Sequence, residues 1–137
     1  MKELHASYNK DIEFIVVYIK EAHALDGSMP KGGLDGAPLV EEPIDLNERR
    51  EVAKTCLGAL DMSPMTMVID GMDDAVSTRW QGFPDRLYLV DGAGMVAYAG
   101  GKGPRDFDPN GLEDAIRVLL KLPELERAQQ PRRRRGR

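Results

Sequence analysis

FIVVYIKEAHALDG, residues 14–27, is the stretch on which the predicted fold depends. The block 12–19 that contains its first half is almost entirely β-branched or aromatic. That composition favours a strand buried on both faces, and therefore a parallel and interior strand, over a helix. Glu21, His23 and Asp26 follow the strand. Because α/β proteins bind ligands at the carboxyl ends of parallel strands, we expect chemistry at this edge.

The segments next to this strand predict an α/β arrangement. Residues 1–9 are typical of the end of a helix, and glycine and proline interrupt residues 21–44, which predicts a long loop. Asp45 and Glu48 form a capping box that begins the next helix. The apolar stripe of that helix consists of Val52, Ala53, Cys56, Leu57 and Leu60.

The second half of the sequence predicts more strands and a closing helix. Residues 65–70 favour a short strand, and residues 71–80 a polar connection with one helical turn. The Asp-Gly turn at residues 91–94 joins two apolar runs, residues 86–90 and 95–99, as in a β-hairpin. Asp108 and Pro109 then begin a helix that ends before Pro123. Its predicted buried face consists of Leu112, Ala115, Ile116, Leu119 and Leu120.

This order of elements predicts a thioredoxin-like three-layer α/β sandwich with a mixed sheet. Residues 1–123 would form the domain, and the arginine-rich residues 124–137 a disordered tail. Compared with that outline, the sequence lacks the first, central β-strand and the start of the first helix.

Composition limits the classes of function. Of the 137 residues, 42% are hydrophobic and 31% charged, which predicts one globular domain. Without the five arginines in residues 132–137, 14 basic residues face 23 acidic ones, a net charge near −9. An acidic body argues against a nucleic-acid partner. The single cysteine, Cys56, excludes an internal disulfide, a CxxC pair and a cysteine-based zinc site.

The sequence also predicts the compartment. No apolar run is long enough to span a membrane, and residues 1–10 do not form a signal peptide. We therefore expect a cytoplasmic protein without a membrane partner.

Four motifs, in order, resemble the iodothyronine deiodinases and their bacterial relatives. They are YIKEAHALDG (18–27), VIDGM (68–72), PDRLYLV (84–90) and YAGGKGP (98–104), and DLNERR (45–50) also fits. The resemblance covers about residues 1–121. It implies a thioredoxin-like fold and a deiodinase-like oxidoreductase that performs reductive dehalogenation, or related thiol redox chemistry, with a selenol or thiol. It further implies a halogenated phenol or a peroxide as substrate and an external thiol as reductant, with no bound cofactor.

The resemblance places the nucleophile outside this sequence. Family members carry selenocysteine or cysteine at the head of the first helix, where backbone N–H groups lower its pKa. That position would precede Met1, so we expect an N-terminally truncated member. A selenocysteine UGA codon read as a stop would produce such a start inside the first helix. We expect Cys56, on an apolar helix stripe, to be an inert core cysteine.

The resemblance also supplies the candidate site residues. His23 and Glu21 are the candidate catalytic residues, and His23 would transfer a proton. Asp85 and Lys102 are candidate substrate-binding residues, because the family has an acid and, in some members, a basic residue there. Read from the residues alone, His23 could pack a loop, Glu21 could be solvated, and Lys102 could be a turn residue.

Two departures from the family pattern bear on the substrate. Pro43 stands in the region where the family has a second histidine, and Ser28 replaces a tryptophan that often follows Asp-Gly. Both argue against iodothyronine itself.

Three other features have structural interpretations. Asp70, Asp73 and Asp74 are more typical of a strand end and a turn than of a metal site. GGKGP, residues 100–104, follows a hairpin strand and lacks the spacing of a phosphate-binding loop. The bond before Pro84 is predicted to be cis.

An alternative is a non-catalytic thioredoxin-like binding module, or a decayed relative of the enzymes. Without a central strand, the strands at residues 12–19 and 86–90 would each keep an unpaired edge. A stand-alone chain is therefore expected to be unstable, to form a homodimer through those edges, or to be rearranged.

Overall fold

A computed structural model describes residues 1–27, 30 and 38–126 of the chain. Within these residues helices and strands alternate up to the third strand, which is followed directly by a fourth, as expected for a mixed α/β fold. The order is α1 (Lys2–Tyr8), β1 (Ile15–Tyr18), α2 (Leu46–Ala59), β2 (Thr66–Ile69), α3 (Ala75–Trp80), β3 (Tyr88–Val90), β4 (Val96–Ala99) and α4 (Pro109–Leu119).

β1 is parallel, as predicted, but shorter than residues 12–19. It pairs with β2 in the register Ile15↔Thr66 to Tyr18↔Ile69. The N–H of Ile12 instead donates to the carbonyl of Tyr8 at 2.8 Å, so Ile12 belongs to the turn that follows α1.

The prediction that β1 is buried on both faces is wrong. Alternating side chains of a strand point to opposite faces, and only the face that carries Phe14 reaches the core, where Phe14 is 9% exposed. On the other face Ile15 and Val17 are 58% and 40% exposed, and Val68 of β2 is 44% exposed. This apolar face therefore remains partly open to solvent.

The predicted hairpin is confirmed. β3 and β4 are antiparallel, with Leu89 opposite Tyr98 and an irregularity between Leu89 and Val90. The Asp91 carboxylate accepts the N–H groups of Ala93 and Met95, each at 2.9 Å. Gly94 closes the turn with φ of 80°, a conformation that glycine adopts without a Cβ clash.

The strands form two separate pairs in the described part of the chain, β1–β2 and β3–β4. The expectation of one mixed sheet is therefore not met. β1 and β3 each hydrogen-bond to a strand partner along one edge, so each retains a second edge without a strand on it among the described residues.

The helix starts follow the capping residues read from the sequence. Asp45 accepts the N–H groups of Asn47 and Glu48 at 2.7 and 2.9 Å, and the Glu48 carboxylate accepts the N–H of Ile44 at 3.0 Å. In α4, Asp108 accepts the N–H groups of two residues, at 3.1 and 3.0 Å, with Pro109 in the first turn. The connection at residues 71–80 contains α3, which is longer than the single turn predicted.

One hydrophobic core joins the elements. α1, β3 and α4 contribute most of its buried side chains, and α4 contacts both strands of the hairpin. Of the predicted buried face of α4, Leu112 and Ile116 are buried and the other three pack against the core. The core consists of Leu4, Tyr8, Phe14, Met65, Leu89, Leu112 and Ile116.

The predicted stripe of α2 is only partly correct. Ala53 is buried, Cys56 is half-buried, and Leu60 is 39% exposed at the end of the helix. The most buried long side chain of α2 is Arg49 instead, with 2% of its surface exposed.

Two predictions concern residues outside the part of the chain just described. The loop at residues 21–44 includes residues 28, 29 and 31–37, and the tail prediction falls mainly on residues 127–137. Among the described ranges, no helix combines the length and apolar character needed to cross a membrane.

We expect Ile116→Ala to lower the free energy of unfolding by about 2–5 kcal/mol, because it removes buried methyl groups and leaves a cavity. Val118→Ala on the same helix, at a position 74% exposed, should change it by less than about 0.5 kcal/mol. Urea unfolding measures both values. Equal losses would contradict this placement of the core.

Candidate functional site

Glu21 lies just beyond β1 and is held from three sides. The hydroxyl of Tyr18 donates a hydrogen bond to Glu21 Oε1. Cys56 Sγ, on α2, lies 3.9 Å from the same oxygen. The backbone N–H of Glu21 donates to Glu42 Oε2 at 3.1 Å, which ties the strand end to the loop before α2. We call Tyr18, Glu21, Glu42 and Cys56 the carboxylate cluster.

The cluster raises the pKa values of three of its groups, Tyr18, Glu42 and Cys56. Burial, followed by the hydrogen bond to Glu21, raises the pKa of Tyr18 far above its ordinary value. Burial and then the charge of Glu21 raise the pKa of Cys56 to about 11. Burial raises the pKa of Glu42. At neutral pH Cys56 is therefore a thiol, the weakly nucleophilic form.

His23 follows Glu21 in the same connection and is half-buried, next to Ala24, which is only 1% exposed. The connection is fastened to the segment before α2. Leu25 N–H donates to the carbonyl of Val40 at 2.9 Å, and Asp26 Oδ1 accepts the N–H of Glu42 at 2.8 Å.

Arg49 connects α2 to the end of β2. Its Nη1 atom donates to the carbonyl of Gly71 at 2.6 Å and to Asp74 Oδ1 at 3.0 Å, and contacts the carbonyl of Asp70 at 3.4 Å. Its Nη2 atom lies 3.7 Å from Glu42 Oε1. Arg49 Nε is buried without a hydrogen-bond partner in the described structure. One guanidinium thus reaches both the carboxylate cluster and the connection before α3.

Asp70 acts as a structural acid at the end of β2, as its interpretation as a strand end predicted. It is 1% exposed and accepts the N–H groups of Gly71, Val76 and Ser77 at 2.9, 3.0 and 2.7 Å. The bonds from Val76 and Ser77 satisfy backbone donors in the first turn of α3.

A pocket of about 360 Å³, which we name the lysine pocket, opens beside the strand ends. Lys20, from the end of β1, and Lys102, from the loop after β4, provide its cations. The complete lining is Lys20, Asp73, Asp74, Ser77, Thr78, Gln81, Phe83 and Lys102.

Asp85 lies next to this pocket without lining it. Its backbone carbonyl accepts the N–H of Gly103 at 3.0 Å, and its carboxylate packs so closely on Gly103 that a side chain there would collide with it. Burial raises the pKa of Asp85. The predicted cis bond before Pro84 is confirmed, and the Gly103–Pro104 bond is also cis.

The four predicted site residues thus fall into two groups. Glu21 belongs to the carboxylate cluster, with His23 two residues further along the chain. Lys102 lines the lysine pocket, and Asp85 is its neighbour through Gly103.

Sequence reasoning missed two residues that connect the groups. Lys20 directly precedes the EAH motif, and Arg49 lies within the DLNERR segment. Both could have been noticed as charges inside motifs. A charged helix residue is usually solvent-exposed, however, so burial of Arg49 could not be inferred.

The comparisons with known proteins follow the same motifs. A family profile described as iodothyronine deiodinase matches residues 1–121. The chain belongs to this family. Thyroxine 5-deiodinase of Ovis aries is 28% identical over 133 residues, which are 96% of the chain and 42% of that relative.

Two further relatives carry the same name. That of Bos taurus is 27% identical over 133 residues, covering 96% of the chain and 41% of the relative. The enzyme of Homo sapiens is 28% identical over 112 residues, which are 81% of the chain and 34% of that relative. The chain therefore spans less than half the length of these deiodinases.

We expect Arg49→Met to lower the free energy of unfolding by about 2–4 kcal/mol, because it leaves Asp74 and the Gly71 carbonyl without their buried donor. The adjacent, exposed Arg50 donates to Asn47 Oδ1 at 3.0 Å, so Arg50→Met should cost less than about 0.5 kcal/mol. Thermal and urea unfolding of both variants provide the comparison. Equal costs would show that the Arg49 contacts do not stabilise the fold.

The thiol of Cys56 should react with iodoacetamide with a midpoint near pH 11 in the folded protein, against an ordinary value of 9.0. Glu21→Gln should lower the midpoint, because it removes a negative charge beside the thiol. The folded state holds the thiol proton more tightly than the unfolded state does. The contribution of Cys56 to the free energy of unfolding is therefore fully present below pH 9 and is lost as the pH rises from 9 to 11. A midpoint below pH 9 in the wild-type protein would contradict the burial of Cys56 beside Glu21. The Cys56→Ser variant measures the background reaction with iodoacetamide.

Proposed function

We propose that the chain forms part of a deiodinase-like oxidoreductase that removes halogen reductively from a halogenated phenol, or performs related thiol redox chemistry on a peroxide. The observation that best supports this proposal is the family match across residues 1–121. Within the matched range, the EAH segment, residues 21–23, follows a parallel strand and lies beside a pocket. In this proposal a selenolate or thiolate attacks the halogen, the carbon–halogen bond breaks, and the ring carbon takes up a proton. Two external thiols then reduce the selenenyl or sulfenyl halide, which releases halide and forms a disulfide.

The four candidate residues take distinct roles in the proposal. His23 transfers the proton that the phenol ring or leaving group requires, and Glu21 orients this end of the strand through its cluster. Lys102 binds the substrate on the pocket side. Asp85 supports the loop of Lys102 through its contact with Gly103. No metal is needed for these steps.

The nucleophile is proposed to come from a strand and helix start that would precede Met1. Cys56 is a poor candidate because burial and Glu21 keep it protonated. The separation of the two strand pairs supports the same idea. A strand between β1 and β3 would complete one mixed thioredoxin-like sheet, with residues 1–123 as its domain and residues 124–137 as a tail.

The alternative, a non-catalytic binding module that dimerises through the free strand edges, makes a different prediction about the gene. Coding DNA upstream of Met1 with an in-frame strand-forming run, followed by TGA or a cysteine codon, supports the enzyme. Unrelated or non-coding DNA there contradicts it. The oligomeric state of the chain, measured by light scattering, tests the dimer.

We expect the 137-residue chain to release no iodide from an iodinated phenol with dithiothreitol, whereas a chain extended by that upstream segment should release it. In the extended chain His23→Asn should lower the rate by about 100-fold or more, because proton transfer is lost. His5→Asn is the matched control, since His5, in α1, contacts the Phe14 ring edge to face, with ring centroids 5.4 Å apart. Iodide release by the extended chain that does not respond to His23→Asn would overturn the role given to His23.

A further inference from the structure

The C-terminal end of α4 closes in a cap that exposes a cation. The N–H of Leu122 donates to the carbonyl of Arg117 at 2.8 Å, and the N–H of Lys121 donates to the carbonyl of Val118 at 3.1 Å. This pair of bonds is a Schellman motif, in which the residue at the position of Lys121 is usually glycine. Lys121 adopts the left-handed conformation of the motif, with φ of 55°, and is exposed. Arg117 reinforces the cap, because its Nε atom donates to the carbonyl of Pro123 at 2.7 Å.

Aliphatic side chains are exposed at the same end of α4. Val118 lies two residues beyond the buried Ile116, and two residues rotate an α-helix by about 200°, so Val118 points away from the core. Val118 is 74% exposed, and Leu122 and Leu125, which follow the helix, are 41% and 39% exposed. In the described part of the chain, the core and the side chains packed against it do not include these three. The end of α4 therefore presents aliphatic surface together with a cation.

The charge of the chain changes sign at this end of α4. Residues 117–137 contain eight basic and two acidic residues, a net charge of +6, whereas residues 1–116 contain 11 basic and 21 acidic ones, a net charge of −10. Five of the basic residues are the arginines in residues 132–137.

The distance along the chain separates these arginines from the acidic body. Arg132 is nine residues beyond Pro123, and nine residues span at most about 30 Å. The electrostatic screening length is about 10 Å at 0.1 M salt. The arginines can therefore contact an anionic surface while the acidic body stays beyond the screening length.

We propose that residues 117–137 bind a membrane surface that contains anionic phospholipids. The arginines contact the headgroup phosphates, and the exposed aliphatic side chains enter the boundary between headgroups and acyl chains. A guanidinium pairs with phosphate oxygens through two N–H donors, and each cation near an anionic lipid surface strengthens binding. Buried aliphatic area adds to this attraction in peripheral membrane binding. The end of α4 and the arginine run supply both contributions.

A polynucleotide is the other polyanion that an arginine run can bind. Proteins that bind single-stranded nucleic acid stack the bases on aromatic side chains, and residues 117–137 contain no aromatic residue. The exposed side chains close to the basic residues in sequence are Val118, Leu122 and Leu125 instead, which suit acyl chains better than bases. This composition therefore favours a lipid surface as the partner.

The proposed binding is peripheral. The prediction of no membrane partner depends on a spanning segment and a signal peptide, and a protein that binds at the headgroups needs neither. None of the residues involved belongs to the carboxylate cluster or lines the lysine pocket, so this binding does not depend on the proposed function.

The experiment measures co-sedimentation of the 137-residue chain with large unilamellar vesicles. One set of vesicles consists of phosphatidylcholine, and the other also contains about 30% phosphatidylglycerol, which supplies negative charge. At about 50 mM salt we expect binding to the anionic vesicles to be at least about 50-fold stronger, and about 500 mM salt should lower it at least about tenfold. Equal binding to both sets, absence of binding, or binding that salt does not weaken would overturn the proposal.

Two charge variants test the location of the contact. Replacement of the four arginines in residues 132–135 by glutamine should lower binding to the anionic vesicles by about 50-fold or more. The matched control changes the net charge equally and should lower binding less than about threefold. It replaces four exposed cations of the body by glutamine, namely Lys10, Arg50, Lys54 and Arg105. Equal losses in the two variants would overturn the assignment to residues 117–137.

A second pair of variants tests the aliphatic contribution. Val118→Ser with Leu125→Ser should lower binding about fivefold to tenfold, because aliphatic area no longer enters the interface. Ile44→Ser with Met95→Ser, at positions that are 82% and 66% exposed, is the control and should leave binding unchanged. Thermal unfolding verifies that each variant is folded. Unchanged binding of the first variant would overturn the role given to the end of α4.

A competition experiment separates lipid from nucleic acid. Single-stranded RNA of about 20 nucleotides is added to the chain bound to anionic vesicles, at a phosphate concentration equal to that of the accessible phosphatidylglycerol. Retention of the chain on the vesicles supports the lipid surface. Displacement of most of the chain into the supernatant would overturn it and identify a polynucleotide as the preferred partner.

Discussion

The buried guanidinium of Arg49 is the constraint on which the strand ends depend. A charged group that is 2% exposed must be compensated by close acceptors. Its acceptors lie on three separate segments, namely the loop before α2, the end of β2 and the start of α3. Glu42 in turn accepts the N–H of Glu21, and Asp74 faces Lys20. Both sides of the β1 terminus are thus positioned, indirectly, by one side chain of α2.

The sequence predicted those parts of the fold that are determined by local chemistry. Asp45, Asp91 and Asp108 each bond backbone N–H groups two to four residues away, so a short motif contains the whole interaction. The alternation of the hairpin and the stripe of α4 are local in the same sense. Element type and helix starts followed from such signals.

The parts that could not be predicted depend on distant partners. Whether Ile15 and Val17 are covered is decided by which elements pack on that face, and β-branched composition contains no such information. The burial of Arg49 required acceptors 21 to 25 residues away. The candidate site shows the same division. The EAH motif identified Glu21 and His23 from the sequence, whereas the place of Lys20 in the pocket depends on Asp74, Phe83 and the loop of Lys102, which are distant in the sequence.

Electrostatics divides the end of β1 into two different environments. Glu21 projects into a cluster with Glu42, where Tyr18 and Cys56 are held protonated. Lys20, the preceding residue, lines a pocket with a second lysine. A thiolate, selenolate or carboxylate is stabilised by nearby cations and destabilised by nearby carboxylates. The cations at this edge therefore lie on the side of Lys20 and Lys102, where Asp73 and Asp74 also line the pocket, while Cys56 on the other side is kept as a thiol.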